Sequence, residues 1–435
     1  MSAGAEAERV TVEGLTHDGR GLTRIAGKAV FVPGALPGEE VLIRRRRRRN
    51  RFDEAELVEV VARSADRVDP RCAHYGVCGG CCLQHASADL QRRAKETSLL
   101  DELERAGRVR PDRVLPALTA ETWGYRRRAR LGAKYVINKG RVLVGFRERA
   151  SPFVTDSRRC EVLVPEVGPL LGALADLIGR LTIRDRVPQI EVAAGDGAAA
   201  LCLRVLADPS ASDREKLAAF GAEHGLDLWL QTGGTDSARP LTTARPLNYH
   251  LPDFGLTLEF GPLDFIQINE HLNRMAVTQA VECLAPDRGD SVLDLFCGIG
   301  NFTLPIARRS ARVLGVEGAA GLIERARSNA AANAITNAEF AVADLDQDCR
   351  ALPWAHQQYH RVLLDPPRVG ARSVLPVIAA GGASRVVYIS CHPGSLARDA
   401  GSLVHDHGYR LVQAGIMDMF PHTAHVESIA VFERR

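Results

Sequence analysis

The sequence predicts a multidomain α+β protein that ends in a doubly wound α/β domain. Three observations carry this expectation. From Phe265 onward, strand-like runs at 291–295, 312–317, 338–342, 361–364 and 385–390 alternate with helical stretches, as in a parallel sheet covered on both faces. Residues 8–63 instead hold short strand-like runs punctuated by Gly14, Gly19, Gly21, Gly27, Gly34 and Pro37-Gly38, as in a small barrel. Between the two, residues 125–262 alternate like antiparallel strands. The length of 435 residues suits about three such units.

The first unit, residues 1–64, predicts strands near Arg9–Leu15, Ala29–Val32, Val41–Arg46 and Ala55–Val61. This is the pattern of a five-stranded oligonucleotide-binding (OB-like) barrel. Residues 44–51 hold seven Arg in eight positions, which would extend one strand and its turn. The second unit, residues 65–262, opens with Cys72-Ala-His-Tyr-Gly-Val-Cys-Gly-Gly-Cys-Cys82, too short and Gly-rich to pack alone. A helix is expected from Ala88 to Ala106, strands at Gln189–Ala194 and Ala200–Leu206, and one helix around Pro165–Leu181. The third unit, residues 263–435, is the α/β domain. No internal repeat is visible.

Charge and composition narrow the function. The net charge is only +3, but residues 105–149 hold 13 Lys/Arg against 3 Asp/Glu. Two basic blocks suit a polyanion, because each neutralised phosphate releases counterions. A competing view is a solvated, composition-driven face, since Arg outnumbers Lys 51 to 5. No window approaches 18 unbroken apolar residues, so no membrane span is expected. The first ten residues are acidic and lack an apolar stretch, so no secretory signal is expected either. A cytoplasmic location follows, in which the ten cysteines serve as thiols or metal ligands.

Asp294-Leu-Phe-Cys-Gly-Ile-Gly-Asn-Phe302 follows the first α/β strand and opens a helix. Gly298 and Gly300 let the backbone approach a ligand. Glu317 ends the next strand, 19 residues after Gly298, where a carboxylate can accept both ribose hydroxyls. Taken alone, Gly-x-Gly is also a plain tight turn. A dinucleotide loop would carry glycine three residues after Gly300, and Thr303 stands there. Together with Asp344 after the third strand, placed at the adenine edge or as a helix cap, the pattern favours S-adenosylmethionine over NAD.

Cys391 ends the run Val386-Val-Tyr-Ile-Ser390. An isolated strand-end cysteine is more often a small buried hydrophobe; its company argues otherwise. Phe265-Ile-Gln-Ile-Asn269, Asp294–Phe302, Leu364-Asp-Pro-Pro-Arg368, Ser390-Cys-His-Pro-Gly-Ser-Leu-Ala-Arg398 and Pro421-His-Thr-Ala-His-Val-Glu427 occur in this order. On these segments the chain resembles the bacterial RNA uracil-5-methyltransferases. The resemblance implies Cys391 as nucleophile and Glu427 as base. It also implies Asp365 as the group holding uracil or methyl donor, and Gln267, Phe296, Gly298, Gly300, Asn301, Glu317, Asp344 and Asp365 as the cofactor site. Arg368 is a candidate phosphate ligand. The chemistry suits these residues: thiolate addition at carbon 6 makes carbon 5 nucleophilic, and a base then removes its proton. One departure is His392, where the family pattern has Asn; a donated hydrogen bond is expected from it.

Cys72, Cys78 and Cys81 with a distant fourth ligand fit zinc or an iron–sulfur cluster by spacing alone. The Cys-x5-Cys-Gly-Gly-Cys segment with Cys160 resembles the [4Fe-4S] site of the ribosomal-RNA branch of the family, leaving Cys82 as a spare buried thiol. The first unit resembles the TRAM RNA-binding domain. Both features together resemble the 23S rRNA uracil-5-methyltransferase branch and imply 23S rRNA as partner; separately, a monomer is expected. Methylation of tRNA or another RNA, and a non-catalytic iron–sulfur RNA-binding protein, are the alternatives. DNA cytosine methylation is disfavoured by the late cysteine, and amino-methylation by Arg368 in place of a stacking aromatic.

Overall fold

The computed structural model describes residues 7–435; residues 1–6, the start of the acidic N-terminal segment, lie outside the described residues. Glu8–Thr11 pairs with Glu40–Arg48, and the same segment continues as Gly14–Leu15, paired with Arg20–Ile25. Between them, Val12 and Glu13 donate to the Glu39 and Leu22 carbonyls at 2.9 and 2.7 Å. One segment thus occupies both edges of a sheet completed by Lys28–Pro33 and Phe52–Ala62. This segment joins the two ends of the sheet into a barrel. Val30, Val32, Val41 and Ile43 alternate inward to form its core.

The strand Arg20–Ile25 was not expected. Its inward positions are Gly21 and Thr23, too small and polar to show an apolar alternation. Gly21 is required there, since a Cβ would stand 2.9 Å from the Ala35 carbonyl oxygen. The arginine run also differs from a free cationic face. Arg45 turns to Glu8 and Asp53, Arg46 to Glu56, and Arg47 and Arg49 to Glu54. The facing strand, Phe52-Asp-Glu-Ala-Glu56, supplies most of these acids. Arg44, Arg48 and Arg51 make no ion pair among the described residues.

The central sheet orders its strands 239–240, 226–231, 199–204, 189–194, 128–136 and 141–145. It is not wholly antiparallel, because Ala199–Arg204 and Leu226–Gln231 run parallel. A parallel pair needs a crossover, and the helix Ala211–His224 provides it. The sequence reading missed this helix, although Ser210 and Asp213 form a capping box and Gly225 ends it at φ +65°. The expected helix near 165–181 is shorter, a 3-10 turn at Gly168–Leu170 running into Leu171–Gly179.

The C-terminal sheet has eight strands, in the order 338–342, 312–317, 291–295, 361–364, 385–390, 427–434, 409–417 and 113–114. The first five are parallel, as expected. Glu427–Arg434 inserts antiparallel between Arg385–Ser390 and Tyr409–Met417. Residues 88–114, which the expected division places in the central unit, pack here instead. Helix Ala88–Arg105 buries Leu99 and Leu103 in the same core as Leu396, Ala400 and Tyr388, and Arg113–Val114 adds the last strand. No helix among the described residues is long and apolar enough to cross a membrane.

Candidate active site

In a doubly wound sheet, ligands bind beyond the carboxyl ends of the strands, where strand order reverses. Here the reversal falls between Ser291–Leu295 and Arg361–Leu364, which lie side by side with Leu295 level with Leu364. The residues just past these ends are Phe296 and Asp365. Leu364 in turn is level with Tyr388, which puts Ser390 and Cys391 on the same rim. On the far side of that strand, Ser390 pairs with Ser428 in antiparallel register. The next residue of each chain, Cys391 and Glu427, therefore lie opposite one another. Strand register alone brings together thiol, carboxylate and Asp365 from three separate segments.

Burial governs the protonation of this group. It pushes the Cys391 thiol up to about 11, reinforced by Glu427 and Asp365 and opposed by Arg368. Glu427 is 4 % exposed; burial, then Asp365, raises its carboxyl well above the ordinary range, with Arg368 opposing. Burial lifts Asp365 to about 7 despite the hydrogen bond from Gln267 Nε2 at 3.3 Å. Asp294, wholly buried, is pushed to about 8 by burial, with Asp365 and Glu317 adding to the shift and the Thr303 hydroxyl opposing it. Arg368 is exposed and donates to His425 Nδ1 at 2.8 Å. Burial, then the arginine's charge, drives that histidine down to about 4, so it is neutral and accepts.

The glycine loop is built to hold an approaching ligand. Gly298 and Gly300 sit at φ +54° and +93°, and Phe296 takes φ +63° without glycine's freedom. The Glu317 carboxylate is fixed by the N–H groups of Gly298 (3.3 Å) and Ala319 (3.0 Å). Gln267 is steadied through its carbonyl, which accepts from Arg127 Nε at 2.9 Å. Asp344 is exposed past its strand and closes a turn by accepting from Asp346 N–H at 3.1 Å rather than capping a helix. Asn301 is committed inward. Its amide exchanges hydrogen bonds with Asn273 and accepts from the Tyr249 hydroxyl at 2.8 Å, so any contact it makes with a cofactor falls to its backbone.

Cys72, Cys78, Cys81 and Cys160 line one small cavity together with Tyr75 and Phe146. Burial raises the Cys81 thiol to about 12, and the other three cysteines add to the shift. Among the described residues, no three His, Cys, Asp or Glu side chains stand close enough to hold a single ion. Cys82 points elsewhere: its Sγ accepts from Ala424 N–H at 3.2 Å.

Residues 256–435 match the family described as tRNA (Uracil-5-)-methyltransferase, and residues 6–58 match the TRAM domain. The chain is 51% identical over 432 residues to the 23S rRNA (uracil(1939)-C(5))-methyltransferase RlmD of Methylococcus capsulatus, covering 99% of this chain and 98% of that one. It is 52% identical over 424 residues to the enzyme of the same name from Xylella fastidiosa, covering 97% and 96%. The chain belongs to the 23S rRNA (uracil-C5)-methyltransferase family. The fold also matches Pyrococcus abyssi tRNA (uracil-54, C5)-methyltransferase solved with S-adenosyl-L-homocysteine. The TM-score is 0.74 at 22% identity, over 98% of this chain and 100% of that one.

His392 accepts through Nδ1, which leaves Nε2 as the nitrogen that can donate. Its Nδ1 takes the Ser395 N–H at 3.1 Å and caps helix Pro393–His405, which an Asn side chain does equally well. His425 was overlooked as a partner of Arg368. The signal available was its place two residues before Glu427, in a segment already singled out.

Proposed function

We infer that the protein transfers the methyl group of S-adenosylmethionine to carbon 5 of a uridine in 23S rRNA. Whole-length identity of about half to enzymes of this name supports it. The relatives are named for uracil 1939, and we take the same nucleotide as the target here. The observation that carries the chemical reading is the register that sets Cys391 opposite Glu427 beside Asp365.

Cys391 is read as the nucleophile. Its proton passes to solvent and its sulfur bonds to carbon 6, moving the ring electrons to carbon 5 and its conjugated carbonyl. Carbon 5 then takes the methyl group, which the cofactor supplies as an electrophile. Glu427, ionised at that point, removes the carbon 5 proton, and the carbon–sulfur bond breaks to return the thiolate. Burial suits Glu427 to this step, because a carboxylate with a raised pKa is a stronger base. Gln267 orients Asp365 toward the bound uracil or the donor. Glu317 holds the ribose hydroxyls, the backbone of Phe296, Gly298, Gly300 and Asn301 shapes the cofactor loop, and Asp344 meets the adenine edge.

Cys72, Cys78, Cys81 and Cys160 are read as ligands of a [4Fe-4S] cluster with a structural role, since methyl transfer moves no net electrons. The TRAM barrel and the Arg-rich central surface would grip RNA phosphates. We keep the division at residues 64 and 262, with 88–114 packed on the C-terminal unit. We place the enzyme in the cytoplasm, as a monomer.

The test is a 5-fluorouridine RNA with methyl donor. Fluorine cannot leave as a proton, so methylated adduct accumulates as a denaturation-resistant complex. Cys391→Ala should abolish it; a surviving complex in that variant rules out the nucleophile.

A further inference from the structure

The segment that delivers Glu427 to the site, Asp418–His425, takes most of its hydrogen bonds from outside its own sheet. The His422 carbonyl accepts from Cys82 N–H and Leu83 N–H, both at 2.9 Å. The His422 N–H donates to Gln91 Oε1 at 2.8 Å, while Gln91 Nε2 ties back to the Leu83 and Ala86 carbonyls. Ala424 N–H donates to Cys82 Sγ. The Pro421 carbonyl accepts from the Tyr125 hydroxyl at 3.1 Å. Lys95 Nζ holds the Asp418 carboxylate at 2.5 Å and the Phe420 carbonyl at 3.0 Å. His422, stacked on Trp123, sits at φ +64°, a left-handed conformation that surrounding contacts must enforce on a non-glycine residue.

All of these holders except Trp123 and Tyr125 come from one stretch of chain. Cys82 and Leu83 directly follow Cys81, and Gln91 and Lys95 lie on the helix that follows them. The barrel reaches the same point: a Cβ on Gly19 would stand 3.1 Å from Leu83, 3.3 Å from Ala424 and 3.4 Å from Cys82 Sγ. The RNA-binding barrel, the cysteine cavity and the strap leading to Glu427 meet at a single junction.

We propose that Cys82 and Gln91 are positioning residues for Glu427, and that the cysteine-rich loop serves catalysis by clamping the strap that carries the base. This rests on the reading of Glu427 as base. Cys82 is then no spare thiol. It is the acceptor that fixes the strap three residues before Glu427, at a point where the loop's geometry is set by its neighbour Cys81. The step it governs is proton removal and release of RNA, not adduct formation.

The experiment uses full-length, anaerobically purified protein, a uridine-containing 23S rRNA fragment and S-adenosylmethionine. It reads denaturation-resistant complex, free 5-methyluridine RNA and iron per chain. Cys82→Ala should lower release by about fivefold, the worth of one net hydrogen bond, and raise the trapped complex correspondingly. KM for RNA and iron content should not change. Cys82→Ser, which keeps an acceptor, should restore release. Gln91→Met, acting from the helix side, should reproduce the trapped complex if Cys82→Ala misfolds. Glu427→Gln run alongside separates the two readings. If it releases methylated RNA at the wild-type rate, the base assignment fails. If it traps while Cys82→Ala and Gln91→Met both release normally, only the clamp fails. Loss of iron in Cys82→Ala would make Cys82 a ligand and overturn the proposal.

Discussion

Replacing Lys95 with Met should destabilise the C-terminal unit far more than loss of an ordinary ion pair. Lys95 is 2 % exposed and Asp418 5 %, so neither can turn to water when its partner is lost. Met preserves the apolar stem and roughly its volume, which limits any packing loss. What remains is a buried carboxylate without its cation and a Phe420 carbonyl without its donor. Removing one partner of a buried pair costs about 3–5 kcal/mol. In a unit of this size each kcal/mol moves the melting temperature by roughly 2–4 °C. The transition should therefore fall by roughly 10 °C. Calorimetry on the full-length protein, repeated at two scan rates, would measure it. The Lys95→Met/Asp418→Leu double variant should recover most of the loss, because an apolar pair replaces a buried ion pair at little cost. A fall of about 2 °C or less in the single variant would refute the reasoning, since that is the behaviour of a surface pair.

Three further outcomes are expected. Adduct formation with 5-fluorouridine RNA should climb with pH through the neutral range, because only the thiolate adds and the resting Cys391 thiol is pushed up to about 11; a flat rate between pH 6.5 and about 8.5 would mean that the bound RNA has already ionised it. Changing Arg46, Arg47 and Arg48 to Gln should lower the slope of log affinity against log salt by less than the roughly 2 that three free phosphate contacts to single-stranded RNA would give. The reason is that Arg46 and Arg47 already face Glu56 and Glu54; a drop of the full amount would show those pairs open on binding. S-adenosylmethionine should bind more tightly as pH rises through about 7 and about 8, the values to which Asp365 and Asp294 are raised, whereas the neutral product should bind with little pH dependence; equal titration curves for the two by calorimetry would count against it.

How much of this was legible before the structure depends on whether a residue's role is local. The five parallel strands were readable because short, mostly apolar runs alternate with helical stretches, and the glycine loop because its residues are consecutive. Gly298, Gly300 and Glu317 fall where a nucleotide loop places them. The barrel strand at Arg20–Ile25 was not readable, since its inward residues are Gly21 and Thr23. The helix at Ala211–His224 was obscured by the alternating runs on either side, although its capping box and terminal glycine were in plain sight. The hydrogen bonds of Asn301 to Asn273 and Tyr249 depend on contacts between distant segments. No local pattern announces them. Cys82 shows the limit most plainly: its partner Ala424 lies 342 positions away.

The charge arrangement suggests why so many acids crowd one thiol. Asp294, Asp365 and Glu427 all have raised pKa values, and burial leads in every case. Arg368 is the one cation that opposes the shifts on both Cys391 and Glu427, and it sits exposed at the rim. A cleft like this resists ionising while empty. A cation within it stabilises the ionised forms, because opposite charge lowers an acid's pKa where low dielectric leaves the interaction unscreened. The methyl donor carries a positive sulfonium, so its binding favours ionised carboxyls and the Cys391 thiolate together. Methyl transfer leaves a neutral sulfide, and the acids' pKa values climb back. If Glu427 is the base, as proposed above, that return would strengthen it just when the carbon 5 proton has to leave. On the proposed roles, burial, which leads the upward shift of both Cys391 and Glu427, keeps the thiol protonated at rest and makes the carboxylate a strong base once the methyl group has moved.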